Sequence, residues 1–112
     1  EVNPRIQGTF ECAQLSLGIN MLSAHIRACE GELVDEPLMR RYAMKRIVYA
    51  PFRCQVGDLN FQRVYDIPCK GSIIEGGEPV ATLLDSHKNL NILRGIIKRS
   101  FGKVIGALTP IK

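Results

Sequence analysis

The chain has 112 residues, 46% of them hydrophobic and 23% charged, with a formal charge of +4. That composition belongs to a folded globular domain with one modest core and excludes a disordered or collagen-like chain. Its apolar runs, such as Ile73-Ile74 and Ile96-Ile97, are broken by charges within a few positions, so no segment is suited to span a bilayer, and no basic-then-apolar leader is expected.

The first run, Glu1-Val2-Asn3-Pro4-Arg5-Ile6-Gln7, places an acid, an amide and a cation at alternate positions. If extended, it points Glu1, Asn3 and Arg5 to one face and Val2 and Ile6 to the other. A carboxylate and an amide oxygen two residues apart suit magnesium, which takes few protein oxygens and completes its octahedron with water and phosphate. Arg5 adds a planar fork for phosphate or carboxylate. As plain structure, the same string is a strand end stiffened by Pro4.

Thr9 is placed to cap a short helix through about Leu17, with Glu11 near its positive end and Gly18 as its stop. Asn20 caps a second helix, in which Met21, Leu22, His25, Ile26 and Cys29 recur at helical spacing, and Gly31 ends it. His25 and Cys29 share a helix face, but two ligands make no metal site, and packing is the expected role. Cys12, Cys29, Cys54 and Cys69 form no Cys-x-x-Cys pair, so zinc is not expected and the thiols read as reduced and mostly buried in a cytoplasmic protein.

Glu30 to Pro37 is acidic and proline-ended, the best boundary in the chain, dividing residues 1–36 from an α+β extension over 37–112. Leu38 to Met44 reads as a short helical turn and Arg46 to Ala50 as a strand cut by Pro51. Strands follow over Arg53 to Val56 and Phe61 to Ile67. Gly76-Gly77, flanked by Ser72 to Glu75 and Glu78 to Leu84, is the clearest hairpin signal. Ser86 is placed to cap a last helix with a buried stripe of Leu90, Leu93, Ile97, Phe101, Val104 and Leu108. Arg94, Lys98 and Lys103 lie off the stripe as a solvated face. The aromatic residues are not interleaved with the cations, so nucleic acid is not the expected partner.

Glu1-Val2-Asn3-Pro4-Arg5 resembles the Glu-x-Asn-x-Arg motif near the end of the ATP-grasp catalytic domain, as in biotin carboxylase and carbamoyl phosphate synthetase. The turn at Gly18-Ile19-Asn20-Met21-Leu22 and the helix ending Ala28-Cys29-Glu30-Gly31 extend the likeness over roughly the first thirty residues. The resemblance implies the last strand and two helices of an ATP-grasp core, followed by a small antiparallel layer and a terminal helix. It also implies Glu1 and Asn3 as magnesium ligands, Arg5 as a phosphate-orienting catalytic residue, and magnesium and ATP as cofactors. The activity implied is ligation of a carboxylate to an amine or thiol through an acylphosphate.

Biotin carboxylase has an acid where Thr9 stands, so bicarbonate–biotin chemistry is not expected. Nothing here resembles the family's nucleotide-binding lysine or its substrate domain. The chain therefore reads as a C-terminal fragment, inactive alone, meeting ATP and a small carboxylate through upstream domains and open to homo-oligomerisation.

A second likeness is to biotinyl- and lipoyl-carrier domains. It rests on Pro68-x-x-Gly71, Gly77-Glu78-Pro79-Val80 and Ala43-Met44-Lys45-Arg46. Carriers present their lysine at a hairpin tip, whereas Lys45 approaches a strand. The remaining alternative is a small basic interaction module without chemistry.

Overall fold

The structure, a computed structural model, describes residues 2–3 and 5–112. The architecture is α+β: helix α1 (Phe10–Leu17), helix α2 (Met21–Cys29), strands β1 (Tyr42–Tyr49), β2 (Cys54–Val56), β3 (Val64–Tyr65), β4 (Ile73–Ile74) and β5 (Pro79–His87), helix α3 (Leu90–Gly106) and strand β6 (Leu108–Pro110). Two antiparallel sheets form among the described residues, in the orders β1-β5-β3 and β4-β2-β6.

The two sheets are largely one ribbon bent in the middle. Strand β1 pairs with β5 from Tyr42 opposite His87 to Val48 opposite Ala81, and β2 pairs with β4 at Cys54 opposite Ile74. Between them both arms turn the same corner, stitched where the Ala50 N–H donates to the Glu78 carbonyl and the Gly77 N–H donates to the Ala50 carbonyl. The ribbon's apex is the loop after β2, closed by the Gly71 N–H on the Val56 carbonyl. Within that loop β3 doubles back onto the free edge of β5, and β6 adds to the free edge of β2.

Gly76-Gly77 therefore does not join two paired strands. A tight turn does form there, with the Glu78 N–H on the Glu75 carbonyl at 3.1 Å and Gly77 at φ +88°. Its outward groups bond Ala50 of the other arm, so the chain changes sheet instead of reversing. A Cβ at Gly76 would meet the Phe52 backbone at 3.4 Å, an ordinary van der Waals contact, so it is Gly77, with its positive φ, that the corner requires to be glycine.

Alternation along β1 sorts its two faces. Arg46 lies over the Phe101 ring of α3, 4.0 Å from its centroid, while Lys45 reaches α1 on the opposite face. The α3 side carries the core, where Val48, Leu83, Leu93 and Val104 are fully buried, joined by Ile97 and Val56. The apolar stripe on α3 is thus where its spacing puts it, except that Leu108 belongs to β6. The cap is Asn89, whose Oδ1 accepts from the Asn91 and Ile92 N–H groups. Ser86 stays inside β5, which runs on to His87.

Other expectations are corrected. Leu38 to Met44 holds no helix: β1 begins at Tyr42, because its ladder with β5 uses those backbone groups. The strand expected over Phe61 to Ile67 shrinks to Val64–Tyr65, bracketed by Arg63 and Asp66 in the left-handed region at φ 66° and 53°. Such angles end an extended run. An ion pair from Arg63 Nε to Asp85 Oδ2, 2.5 Å long but poorly aligned as a hydrogen bond, fixes β3 against β5.

Helices α1 and α2 form as expected, with Gly18 left-handed after α1 and Asn20 accepting from the Ser23 N–H. Thr9, however, makes no capping hydrogen bond with its side chain. Neither helix buries a residue, and Leu22 and Ile26 are about half exposed. The molecule measures 55 × 29 × 25 Å with a radius of gyration of 17.0 Å, against about 13 Å for a compact chain of this length. Among the described residues no helix is long and apolar enough to cross a membrane.

Candidate functional site

The opening run folds by its own local chemistry. The Arg5 N–H donates to Asn3 Oδ1 at 3.3 Å, Gln7 Nε2 donates to the Arg5 carbonyl at 3.3 Å, and the Phe10 N–H donates to the Gln7 carbonyl at 3.1 Å. These are turn contacts, and the described residues of the run carry no strand. The expected motif strand is thus absent among them. Asn side chains bonded to nearby backbone compete with sheet pairing, and both described sheets are built from residue 42 onward. Glu1 and Pro4 lie outside the described residues.

Arg5 does not stand alone. With Ile6 and Gln7 it walls an open cavity of about 340 Å³, whose other side is Phe10 and Ala13 of α1 and Met21 and His25 of α2. The cavity is mostly apolar, with the Arg5 guanidinium and the His25 imidazole as its ionisable groups. The helix pair and its capped turn at Asn20 hold the wall opposite Arg5, a supporting arrangement rather than a reacting one.

The donor chemistry of a Glu–Asn pair suits magnesium. Of that pair Asn3 is described. It is exposed, and its Oδ1 keeps a second lone pair beyond the long bond from Arg5. Among the described residues no group of three or more His, Cys, Asp or Glu side chains comes together as a metal site. His25 Nε2 and Cys29 Sγ do approach to 3.9 Å on α2, a pair with no third ligand of those types.

Lys45 lies in the middle of β1. Its Nζ donates to the Gly8 carbonyl at 3.1 Å and pairs with Glu11 at 3.3 Å, so it ties the opening segment and α1 to the sheet. A carrier lysine needs a free, projecting position, and this geometry lends that reading no support.

All four cysteines are free thiols, but Cys54 alone is buried, while Cys12 is half-buried and Cys29 and Cys69 are exposed. The expectation of mostly buried thiols fails because Cys12 and Cys29 lie on the uncovered helices α1 and α2, and Cys69 lies in the exposed loop before β4. Burial pushes the Cys54 thiol above its ordinary 9.0, reinforced by Glu75. Burial likewise raises Cys12, opposed by the nearby Lys45 charge and aided by Glu11. Neither thiol is primed as a nucleophile.

The cations are more closely associated with aromatic rings than the sequence suggested: Arg46 sits over Phe101, and Lys103 lies 6.0 Å from the Phe61 centroid. Both rings also pack against the core, so they are not free stacking platforms.

No family model matches the chain, and no solved structure matches it. The chain is similar to an uncharacterized protein of Methanocaldococcus jannaschii, 28% identical over 96 residues, which cover 86% of this chain and 24% of that protein. The chain thus spans about a quarter of the length of the curated relative it matches.

Proposed function

We propose that the chain forms the C-terminal part of a cytoplasmic ATP-grasp ligase, joining a small carboxylate to an amine or thiol nucleophile. One observation carries the reading: Glu1-x-Asn3-x-Arg5 stands directly before two helices joined through Gly18 and Asn20, with Arg5 on the wall of the cavity those helices shape. In the assembled site Glu1 and Asn3 would hold magnesium. When bound, magnesium–ATP supplies the phosphoryl group that activates the substrate carboxylate.

Arg5 would orient a phosphate through its planar fork and stabilise the charge that develops there. Releasing the 3.3 Å bond between Asn3 and the Arg5 N–H would let the run extend and turn the Asn3 oxygen toward the cation. The half-exposed apolar residues Leu22 and Ile26 of α2 offer a face for the rest of the catalytic unit.

The test is calorimetry of magnesium–ATP binding to the intact protein, comparing it with a Glu1→Ala, Asn3→Ala double variant. The expected outcome is saturable binding that the double variant weakens at least tenfold and makes insensitive to magnesium. Absence of binding to the parent protein would overturn the reading.

A further inference from the structure

The face of sheet β1-β5-β3 that carries Lys45 is only partly covered by α1. Further along it, Ile47 of β1, Thr82 of β5 and Tyr65 of β3 stand opposite one another in register, so their side chains line up in one row across the three strands. Ile47 and Tyr65 are exposed at 44% and 51%, whereas Thr82 between them is exposed at only 8%. A cavity of about 230 Å³ opens there, lined by Ile47, Thr82, Val80, Pro79 and the Asp66 that follows β3. It shares no lining residue with the cavity at Arg5.

Two polar groups of this cavity, the Thr82 hydroxyl and the exposed Asp66 carboxylate, are open to an incoming molecule. The Thr82 hydroxyl takes part in no side-chain hydrogen bond among the described residues, although the residue is more than nine-tenths buried. The hydroxyl is not among the buried polar atoms that lack a partner, so it opens into the cavity, where a ligand can bond it. Asp66 is held at a left-handed φ of 53° and pairs with no cation among the described residues. Around them the lining is apolar, and the exposed Tyr65, outside the lining itself, stands opposite Thr82 in the same row at its rim.

We propose that this cavity binds a hydroxylated ring, a sugar or the ribose of a nucleoside. The C–H face of such a ring packs on Ile47, Val80 and Tyr65, one hydroxyl bonds Thr82, and another donates to the Asp66 carboxylate. A carboxylate is the stronger acceptor, and a few convergent polar groups on an apolar lining are the usual makeup of a small-molecule site. The volume lies below the roughly 300–1,000 Å³ of sites for drug-sized ligands, so it suits a single ring. The proposal stands apart from the ligase reading, since none of its residues belongs to the Glu-x-Asn-x-Arg run.

The test is a methyl and amide NMR titration of the whole chain with methyl β-D-glucopyranoside, adenosine and, as an acyclic polyol, glycerol. Saturable shifts at Ile47, Tyr65 and Thr82 with the glucoside or adenosine are expected, with no saturation for glycerol. A response to the glucoside alone identifies a saccharide site, and a response to adenosine alone identifies a nucleoside site. Thr82→Val keeps the side-chain shape, so its melting temperature should hold or rise while ring binding weakens about tenfold, the loss of one good hydrogen bond. Asp66→Asn should weaken it as well. The proposal is overturned if neither ring saturates, if glycerol shifts the same residues equally, or if Thr82→Val binds as tightly as the parent.

Discussion

Residues before β1 and residues from β1 onward are built on different principles. From Val48 to Leu108 the chain supplies all fourteen buried hydrophobic side chains found among the described residues, packed between the bent ribbon and α3. Helices α1 and α2 supply none and are held by caps, by Lys45 and by backbone bonds such as the Arg40 N–H on the Ser16 carbonyl. The difference teaches that here the segment carrying the Glu-x-Asn-x-Arg run and the segment carrying the stability are separate. A change in one should leave the other nearly intact.

The largest expected effect is in the core. Leu93→Ala removes a side chain with no exposed surface and should cost about 2–5 kcal/mol in urea unfolding. Ile26→Ala on α2 should stay within about 0.5 kcal/mol, and comparable losses for both would break the contrast.

Next is Gly57→Ala. A Cβ there would lie 2.6 Å from the Ala107 carbonyl oxygen, which accepts the Gly57 N–H, so β6 must shift at a cost of about 1–3 kcal/mol. Denaturation midpoints would register it, and an unchanged midpoint would mean that the loop after β2 has slack.

A smaller effect belongs to the tether. Lys45→Met removes a partly exposed ion pair worth about 0.2–1 kcal/mol at most. Its clearer signature is faster proteolysis within residues 32–41, which carry no helix or strand up to the start of β1. Unchanged cleavage would show that α1 stays docked without it.

The smallest effect at neutral pH is that of Cys54. Its thiol is raised when folded, so it holds its proton where the unfolded chain loses it. Stability from this group is full below the ordinary 9.0 and falls as pH rises through the folded value. Cys54→Ala should abolish that alkaline loss while Cys29→Ala, at an exposed site, should not.

The sequence made local features legible and left distant pairings obscure. Gly18 and Asn20 punctuate α1 and α2 as read, because capping is settled within a few residues. Leu93, Ile97 and Val104 declare the buried side of α3 by spacing alone. Gly76-Gly77 misleads, because two glycines specify a tight turn but not whether the strands beside it pair with each other. That depends on Ala50, far away in the chain. Likewise Asn89 outcompetes Ser86 as the cap only because β5 needs Ser86 opposite Ala43. Arg5 is singled out in the sequence by the run it stands in, while the row of Ile47, Tyr65 and Thr82 carries no local signal and exists only through the register of three strands.

The corner at Ala50 and Gly77 also bears on how the chain folds. The ribbon's shortest closure is at its apex, between Val56 and Gly71, and every later rung toward Tyr42 and His87 spans more chain. Closing a shorter loop costs less entropy, so zipping should start at the apex, pass through the corner and finish at the end nearest α1. An error at the corner would shift every later rung by one residue, turning Leu83 outward and Thr82 inward. The two bonds at Ala50 therefore act as a checkpoint for register, and helices α1 and α2 dock last, on a sheet whose alignment has already been decided.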